Sequence, residues 1–508
     1  MTHRMHCFRG AYNSVFPSWS FLLNCLHFIA LLSSGSVALG QSEISSNGFV
    51  HLSGDEVGRD LDSLSSWVLA THPAPFAYCS EEEWFSRLEQ NKKMLKGGGN
   101  LFAVAKAFAD QTRLLKDSHT GIALQSFANQ LAESNGQISI EVTTIDNQTI
   151  LAKDWNSQVK LGTAIDGIAG ISSRSLLGMA LSLVPQEGEA SLSRLRMAEK
   201  LWNDLVPFAL GRSVGDSLTI THTGSSIEQR IRIQSKSKLD SIRQLHESPE
   251  VSWGYVPNHP EVLQLTIRSF HPKYLREFKK QLKSCFREIN RAEKDKNSKF
   301  SGLVLDLRHN PGGQIAVMAE VLPYLTSVEE RLPYGVQIRH SSLSKSQIRS
   351  TSAMRNCMAR GYRSNFKELN RVLRSSKEPM SFIPFEQPIK PRKRLNYTGQ
   401  MTLLLDGLSA SASISFAAWF VRTGRGKTFG EPPMGSISGT FGNPIKLTLP
   451  SSGIDVNIAT ARYYTQAPIR WESSPLFPDF PVAKTVQDLI DGKDRCLEKA
   501  AHYLENTP

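Results

Sequence analysis

The residues best placed to do chemistry lie where a buried strand is predicted to run into an apolar helix. Residues 403–418 read LLLDGLSASASISFAA, with small residues between the apolar stretches. A hydroxyl at a helix start lies near free backbone N–H groups, whose partial positive charge stabilises an oxyanion. A serine of this stretch is therefore a candidate nucleophile. This junction alone favours a simpler interpretation, because serine at a helix start is most often an N-cap.

A second motif also follows a predicted buried strand. Residues 306–313 read DLRHNPGG, directly after the apolar run 302–305. Glycines allow the backbone to approach a ligand closely and to present its N–H groups. Gly312 and Gly313 are therefore candidates for binding an anionic group. A plain Pro-Gly turn between a strand and a helix would have the same sequence.

Taken together, the two motifs resemble the core of the tail-specific (C-terminal processing) and tricorn proteases. The resemblance extends to Gly424-Arg425, Gly430-Glu431-Pro432, a 162–170 segment similar to a PDZ module, and Pro478-Asp479. It covers most of residues 100–490. It implies an α/β fold with a crotonase-like ββα protease core, a helical N-terminal region and a PDZ-like β module.

The resemblance implies that peptide bonds are hydrolysed through an acyl-enzyme on Ser411. The oxyanion donors would be the N–H of Ala412 and that of a glycine in the Gly312-Gly313 pair. Tail-specific proteases use a lysine as the base, but Ser436 stands at that position here. A serine hydroxyl is a poor nucleophile without a base, so another group must take the proton.

Histidine is the natural replacement for the lysine near neutral pH. His119 lies in the segment KDSHTG, which resembles the Ser-His loop of the tricorn branch. Glu472 precedes the Pro-Asp segment, as a glutamate does in that branch. The implied arrangement has His119 carrying the proton, with Ser118 and Glu472 orienting it. His309 is a rival base, although it occupies a variable position of its motif.

Two alternatives stay open at this point. One is a Ser-Lys dyad peptidase that uses a lysine at a non-aligned position. The other is a non-catalytic relative that binds peptides or other ligands, because Ile414 replaces a glutamate of the family motif. The sequence shows no phosphate loop, no His-Glu-x-x-His and no paired-cysteine site, so neither a cofactor nor a metal is expected.

The N-terminus has the pattern of a secretory signal peptide. Arg4 and Arg9 precede an apolar run at 21–32, and small residues follow up to Gly40. We therefore expect an exported protein, whether periplasmic, extracellular or envelope-associated. An uncleaved signal would instead keep the chain close to a membrane.

The chain is basic, with a formal net charge of +12. Its Lys and Arg clusters are not interleaved with aromatic residues, as they would be in a single-strand nucleic-acid binder. They are typical of a solvated surface. The expected partners are therefore peptide or protein substrates, and no nucleic acid.

The predicted domain order follows from these patterns. It is a signal peptide at 1–40, a linker at 41–57, a helical N-terminal region with the Ser-His loop at 58–136, a PDZ-like module with a helical insertion at 137–237, the protease core at 250–490 and a C-terminal helix or tail at 491–508. The four cysteines beyond the signal lack the spacing of a zinc site, and the sequence does not pair them: Cys79, Cys285, Cys357 and Cys496. Cys285 falls on an apolar helix face, which predicts a buried free thiol.

Overall fold

The computed structural model describes residues 51–507, except 157–158, 223–228, 246–247, 298, 354–370, 373, 375–378 and 466–472. The expected signal peptide and most of the expected linker lie outside the described residues, as does Cys357. Among the described helices, none has both the length and the apolar character that a membrane span requires.

The secondary structure alternates helices with short strands. The described helices are α1 (Gly54–Thr71), α2 (Glu81–Met94), α3 (Leu101–Arg113), α4 (Leu124–Asn135), α5 (Ser173–Leu183), α6 (Ser191–Ala209), α7 (Lys236–Leu245), α8 (Leu275–Lys294), α9 (Ile315–Met318), α10 (Ser342–Ala353), α11 (Ala412–Arg422), α12 (Val486–Asp491) and α13 (Arg495–Asn506). The described strands are β1 (His51–Leu52), β2 (Gly99–Asn100), β3 (Gly121–Ile122), β4 (Ile140–Ile145), β5 (Gln148–Asp154), β6 (Ile165–Ile168), β7 (Ile171–Ser172), β8 (Ser217–His222), β9 (Gln229–Arg232), β10 (Val251–Val256), β11 (His259–Ile267), β12 (Gly302–Asp306), β13 (Glu330–Arg339), β14 (Met380–Ile389), β15 (Met401–Leu405), β16 (Lys427–Gly430), β17 (Gly439–Gly442), β18 (Ile445–Thr448), β19 (Asp455–Ile458), β20 (Ala461–Tyr464) and β21 (Phe480–Pro481).

A six-stranded sheet forms the centre of the fold, in the order β10-β11-β12-β15-β16-β21. The pairs from β11 to β21 are parallel, and β10 runs antiparallel to β11. Every residue of β12 (GLVLD) and β15 (MTLLL) is buried, as parallel strands covered on both faces should be. The predicted α/β layer with parallel pairs is confirmed.

Helices cover both faces of this sheet. Leu303 and Leu403 pack with α8 and α11, whereas Val304 and Leu404 pack with α13, since successive side chains of a strand point to opposite faces. The C-terminal helix is thus part of the core layer, although the sequence placed it outside the core. Cys285 on α8 is a buried free thiol, as predicted.

The N-terminal region is mainly helical after the short strand β1. Ser53 and Ser80 form capping boxes at the starts of α1 and α2. The sequence predicts Asn100, after the run Gly97-Gly98-Gly99, as a helix N-cap, and this residue caps α3 by accepting a hydrogen bond from the N–H of Ala103 at 2.9 Å. Since α1 begins at Gly54, the expected linker 41–57 extends too far along the chain.

The β-rich module consists of the β4–β5 hairpin and a four-stranded sheet in the order β7-β6-β8-β9. The spaced apolar residues Leu218 and Ile220, then Ile231 and Ile233, predict a hairpin, and Leu218 pairs with Ile231 in β8–β9. The predicted helical insertion is α6, and α5 is an additional helix ahead of it. Leu176 of α5 and Trp202 of α6 are buried among the strands of the module, so both helices belong to its core.

One part of the core differs from expectation. The sequence predicts an irregular excursion over 340–395, but β14 pairs with β13 from Met380 to Ile389. Pro384 and Pro388 weaken the strand pattern in the sequence, because proline lacks the N–H that a ladder needs. The structure tolerates them because β14 is an edge strand in the sheet β14-β13-β20-β17.

Candidate active site

Ser411 occupies the turn between β15 and α11. Its φ of +53° and ψ of −115° lie outside the regions that residues with a Cβ favour. Such a conformation costs about 1–3 kcal/mol and persists only where the surroundings impose it. The Ser411 side chain makes no capping hydrogen bond within the described structure. The N-cap interpretation therefore does not account for this serine.

The two flanking serines have structural roles. Ser409 Oγ donates to the carbonyl of Leu307 at 2.8 Å and accepts from the N–H of Asp406 at 3.0 Å. Ser413 Oγ donates to the carbonyl of Asn310 at 3.0 Å. Both serines are buried, whereas Ser411 is partly accessible. The outer hydroxyls thus join this turn to the 306–313 motif.

The glycine pair lies against the Ser411 turn. The Gly312 N–H already donates to the side-chain oxygen of Asn310 at 2.8 Å, so it is not free to bind an oxyanion. The N–H groups of Gly313 and Ala412 have no acceptor among the described residues. Of the predicted oxyanion donors, the structure therefore leaves these two available.

Gly312 has a second role, as the point of closest approach between the motifs. Its φ is +94°, and an added Cβ would lie 2.7 Å from both Ala412 N and Ser411 Cβ. Any side chain at this position would displace the candidate nucleophile.

An ion-pair network holds the 306–313 motif on the sheet. Arg308 Nε donates to Asp306 at 3.0 Å, and its Nη1 donates to Asp494 at 2.8 Å. Burial alone would lower the pKa of the guanidinium, but the two carboxylates raise that pKa well above its usual value. Asp494 is the N-cap of α13, so this arginine ties the motif to the C-terminal helix.

His119 is positioned by the loop that connects α3 to β3. Asp117, fully buried in this loop, accepts from the His119 N–H at 2.8 Å and from Thr120 Oγ1 at 2.6 Å. Thr120 Oγ1 in turn accepts from the N–H of Ala459 at 2.9 Å, and β3 pairs with β19. These bonds anchor the loop to the protease core.

Asp117 is also bonded to a buried histidine, His72. Nδ1 of His72 accepts from the N–H of Ala74 at 3.2 Å, so its proton is on Nε2. Nε2 lies 3.2 Å from the Asp117 carboxylate. The carboxylate is thereby held on both of its oxygens.

The ring of His119 presents one nitrogen to oxygen atoms and leaves the other available. Nδ1 lies 3.5 Å from Asp117 Oδ1, 3.5 Å from Ser118 Oγ and 4.0 Å from Glu187 Oε2. Nε2 has no partner among the described residues. A neutral ring with its proton on Nδ1 would therefore offer the Nε2 lone pair as a base.

Glu187 was not predicted from the sequence. It lies in the connector between α5 and α6, and its Oε2 accepts from the N–H of Ser118 at 2.8 Å and from Ser118 Oγ at 2.7 Å. Thr440 Oγ1 donates to Oε1 at 3.3 Å. No motif marks this residue, and it is far from His119 along the chain.

The buried charges shift one another's protonation. Burial alone would raise the pKa of Asp117, but hydrogen bonds from His119 and His72 hold it below its usual value. Burial alone would lower the pKa of His119, but the Asp117 carboxylate and then Glu187 raise it. Burial and the Asp117 charge raise the pKa of Glu187 to about 7. Perturbed groups that face one another in this way are typical of functional sites.

Gly435 lies between the two halves of the site. A methyl group added there would lie 3.4 Å from Glu187 Cγ and 3.9 Å from Ile414 Cγ1. Ile414 lies in the first turn of α11, three residues after Ser411. The side chains of Glu187 and Ile414 therefore both lie next to this glycine.

The other candidate bases are occupied elsewhere. His309 Nδ1 lies 2.9 Å from Asp406, and its side chain is 55% exposed. Lys427 pairs with Asp479 at the amino end of β16, whereas Ser411 follows the carboxyl end of the neighbouring parallel strand. Ser436, at the family's lysine position, is buried and hydrogen-bonded to Ser438. Glu472 lies outside the described residues.

Asp117, His119 and Glu187 also place one metal-ligating atom each within 4.8 Å of one another. Hydrogen bonds from Ser118 already use the Glu187 oxygen that faces the histidine. The arrangement therefore suits the orientation of an imidazole better than the coordination of a cation.

Comparisons with known proteins bear on the family and the fold of this chain. The sequence profile of peptidase family S41 matches residues 261–482. Comparison with curated protein sequences finds no match. Three solved structures share the fold. Mature CPAF has a TM-score of 0.61 and 13% identity and covers 89% of this chain and 98% of its own. A CPAF mutant has a TM-score of 0.65 and 12% identity, and the match covers 90% of this chain and 98% of the CPAF chain. Mature CPAF complexed with lactacystin has a TM-score of 0.59 and 13% identity, and the match covers 89% of this chain and 97% of the CPAF chain.

The profile match runs from β11 to the residue after β21. It includes both the DLRHNPGG motif and the Ser411 turn, the two segments from which the oxyanion donors and the candidate nucleophile come. The match over residues 261–482 therefore identifies a serine-type peptidase domain of family S41, in the tail-specific, or C-terminal processing, protease superfamily.

Proposed function

We propose that Ser411 is the nucleophile of this peptidase and that His119 is its general base. One observation carries the proposal. The hydroxyls of Ser409 and Ser413 donate to backbone carbonyls, whereas that of Ser411 makes no hydrogen bond within the described residues. The N–H groups of Gly313 and Ala412, in the same two motifs, have no acceptor there either. His119 has an Nε2 without a partner among the described residues, since its contacts with Ser118, Asp117 and Glu187 are made by Nδ1.

These groups support the steps of acyl transfer. Ser411 Oγ attacks the carbonyl carbon of the substrate while its proton passes to His119 Nε2. The N–H groups of Gly313 and Ala412 stabilise the oxyanion that forms. The C–N bond then breaks, and the leaving amine takes the proton from His119. Water, activated by the same histidine, hydrolyses the acyl-enzyme and regenerates the serine.

The remaining roles follow from the resemblance to the tricorn-like branch. Ser118 and Glu472 would orient the His119 ring, and the missing lysine at Ser436 favours this branch over the Ser-Lys branch. Contact between Ser118 Oγ and His119 Nδ1, at 3.5 Å, supports the role of Ser118. Glu472 is assigned by the resemblance alone.

We expect the substrate to be a peptide end or an extended peptide segment. β17 is an edge strand of its sheet and carries Thr440, which contacts Glu187 beside the candidate base. An edge strand can pair with an extended chain and present it to the neighbouring site. The PDZ-like module would contribute to selection of the peptide, and the expected signal peptide makes an exported protein our proposal for its location.

Labelling with a serine-reactive fluorophosphonate tests the nucleophile and the base. The full chain and the variants Ser411→Ala, His119→Ala and His309→Ala are compared for labelling and for peptidase activity. We expect Ser411→Ala to abolish both and His119→Ala to slow both by about 10²–10⁴-fold, the usual contribution of a general base. His309→Ala should remain close to the wild type.

Each part of the proposal has its own contrary result. Equal labelling of the Ser411→Ala variant would refute the nucleophile. Full peptidase activity in the His119→Ala variant would support the Ser-Lys alternative instead. Lactacystin, which CPAF binds in its solved complex, is a second probe with a different reactive group. Protection of Ser411 from fluorophosphonate by lactacystin would place both reagents at one site.

A further inference from the structure

We propose that Glu187 is a further carboxylate that orients His119, acting through Ser118, so that the connector between α5 and α6 supplies a positioning residue of the site. This inference rests on the proposed function, because it assumes that His119 is the base. It adds a residue that neither the family motifs nor the sequence pattern indicates.

The contact between Glu187 and the Ser-His loop is direct. Oε2 of Glu187 receives both the backbone N–H and the hydroxyl of Ser118, at 2.8 and 2.7 Å. Since the hydroxyl proton points to the carboxylate, the lone pairs of Ser118 Oγ remain to accept a proton from His119 Nδ1. That contact selects the ring tautomer whose Nε2 can take the proton of the nucleophile.

The connector that carries Glu187 is held on both sides. The Gly188 N–H donates to the carbonyl of Lys116, and the Glu189 N–H donates to the carbonyl of Ser473, each at 2.9 Å. Gly188 has a φ of +49°, and an added Cβ would lie 2.4 Å from the Ser473 carbonyl oxygen. The connector thus lies between the Ser-His loop and the segment that contains Ser473. Its hydrogen bonds to both hold it in place.

The surroundings of Glu187 argue for a functional use of its charge. Its side chain is 5% exposed, and a buried carboxylate is costly unless it is compensated. The groups that face it are Asp117, His119, Ser118 and Thr440. Among these, His119 is the one that becomes positive during the proposed reaction. The stabilisation that Glu187 provides therefore grows as the imidazolium forms, as a positioning carboxylate requires.

The test compares Glu187→Gln with Glu189→Gln in the full chain. Glutamine keeps the shape of the side chain and removes its charge. Glu189 lies two residues away, is 51% exposed and pairs with Lys116, so its substitution controls for disturbance of the connector. Thermal unfolding of both variants establishes that each is folded.

The readouts are the second-order rate constant of fluorophosphonate labelling and the pH profile of kcat/KM. We expect Glu187→Gln to lower the labelling rate constant and kcat/KM at pH 8 by at least about 10-fold each, within the range for general-base catalysis. The acid limb of the profile should also move to lower pH, because the negative charge that raises the pKa of His119 has been removed. Glu189→Gln should change neither quantity. A role limited to stability would leave the acid limb in place.

The possible outcomes separate this inference from the proposed function. If Ser411→Ala and His119→Ala are inactive but Glu187→Gln behaves like Glu189→Gln, the inference is wrong and the proposed function stands. If Ser411→Ala is labelled like the wild type, the proposed function itself fails. Ser118→Ala gives an independent check should Glu187→Gln unfold, since it removes the same connection while leaving the carboxylate in place. It should reproduce the loss of rate, and wild-type rates in that variant would overturn the inference.

Discussion

Substitution of Gly312 by alanine should disable the site by displacing the nucleophile. An added Cβ would lie 2.6 Å from the carbonyl oxygen of Ala410 and 2.7 Å from both Ala412 N and Ser411 Cβ. These are backbone atoms or atoms next to the backbone, so they cannot move aside as the end of a flexible side chain would. The turn that holds Ser411 and the N–H of Ala412 must therefore shift.

The magnitude follows from two costs. Alanine at a φ of +94° costs about 1–2 kcal/mol, and overpacking against fixed atoms adds about 1–3 kcal/mol. Reduced freedom of the unfolded chain offsets about 0.4–1 kcal/mol of this sum. We expect the free energy of unfolding to fall by about 2–4 kcal/mol. Loss of one aligned oxyanion donor should also lower kcat by about 10²–10³-fold.

Gly424→Ala is the matched control. Gly424 follows the other end of α11, has a φ of +62°, and an added Cβ would meet no atom within 4 Å. The free energy of unfolding of this variant should therefore fall only by the cost of the backbone conformation, about 1 kcal/mol. Its kcat should stay within about threefold of the wild type. The assay is urea unfolding together with kcat on a fluorogenic peptide. Equal kcat in the Gly312→Ala and Gly424→Ala variants would refute the argument that Gly312 sets the position of the nucleophile.

Three further outcomes are expected. Ser409→Ala should lower the free energy of unfolding by about 1–3 kcal/mol, because Asp406 N–H and the Leu307 carbonyl lose a buried partner, whereas Ser411→Ala should leave it unchanged or raise it. Peptidase activity should fall as the pH drops through the raised pKa of His119, with a midpoint above about 6.5, since only the neutral ring can take a proton. Arg308→Ala should destabilise the protein by about 3–5 kcal/mol in urea unfolding, because the buried Asp306 carboxylate loses two hydrogen bonds and keeps only Arg268, at 3.5 Å, as a counter-charge.

Each of these has a distinct contrary result. Equal stability of Ser409→Ala and the wild type would mean that the serine does not join the two motifs. An acid limb at or below the value of an ordinary exposed histidine would mean that Asp117 and Glu187 do not act on the ring. An Arg308→Ala variant of wild-type stability would mean that its carboxylate partners are solvated in the folded protein.

Much of the fold is local in origin and could be predicted. The runs GLVLD and MTLLL have consecutive apolar residues instead of an apolar-polar alternation, which favours burial on both faces and so a parallel sheet between helices. The apolar stripe of α8 predicted the buried thiol of Cys285, and a cap residue marked the start of α3. Proline concealed β14, since whether a strand lies at a sheet edge depends on its neighbours and not on its own residues.

The sequence by itself indicated which serine to test, because the Ser-Ala-Ser-Ala-Ser turn and DLRHNPGG carry a family pattern with few alternatives. Only the tertiary structure decided what surrounds that serine. It commits the outer hydroxyls to Leu307 and Asn310, uses the Gly312 N–H internally, and brings Glu187 beside Ser118. The physical reason is that hydrogen bonding, burial and charge compensation depend on distance in space, which the spacing of residues along a chain does not specify.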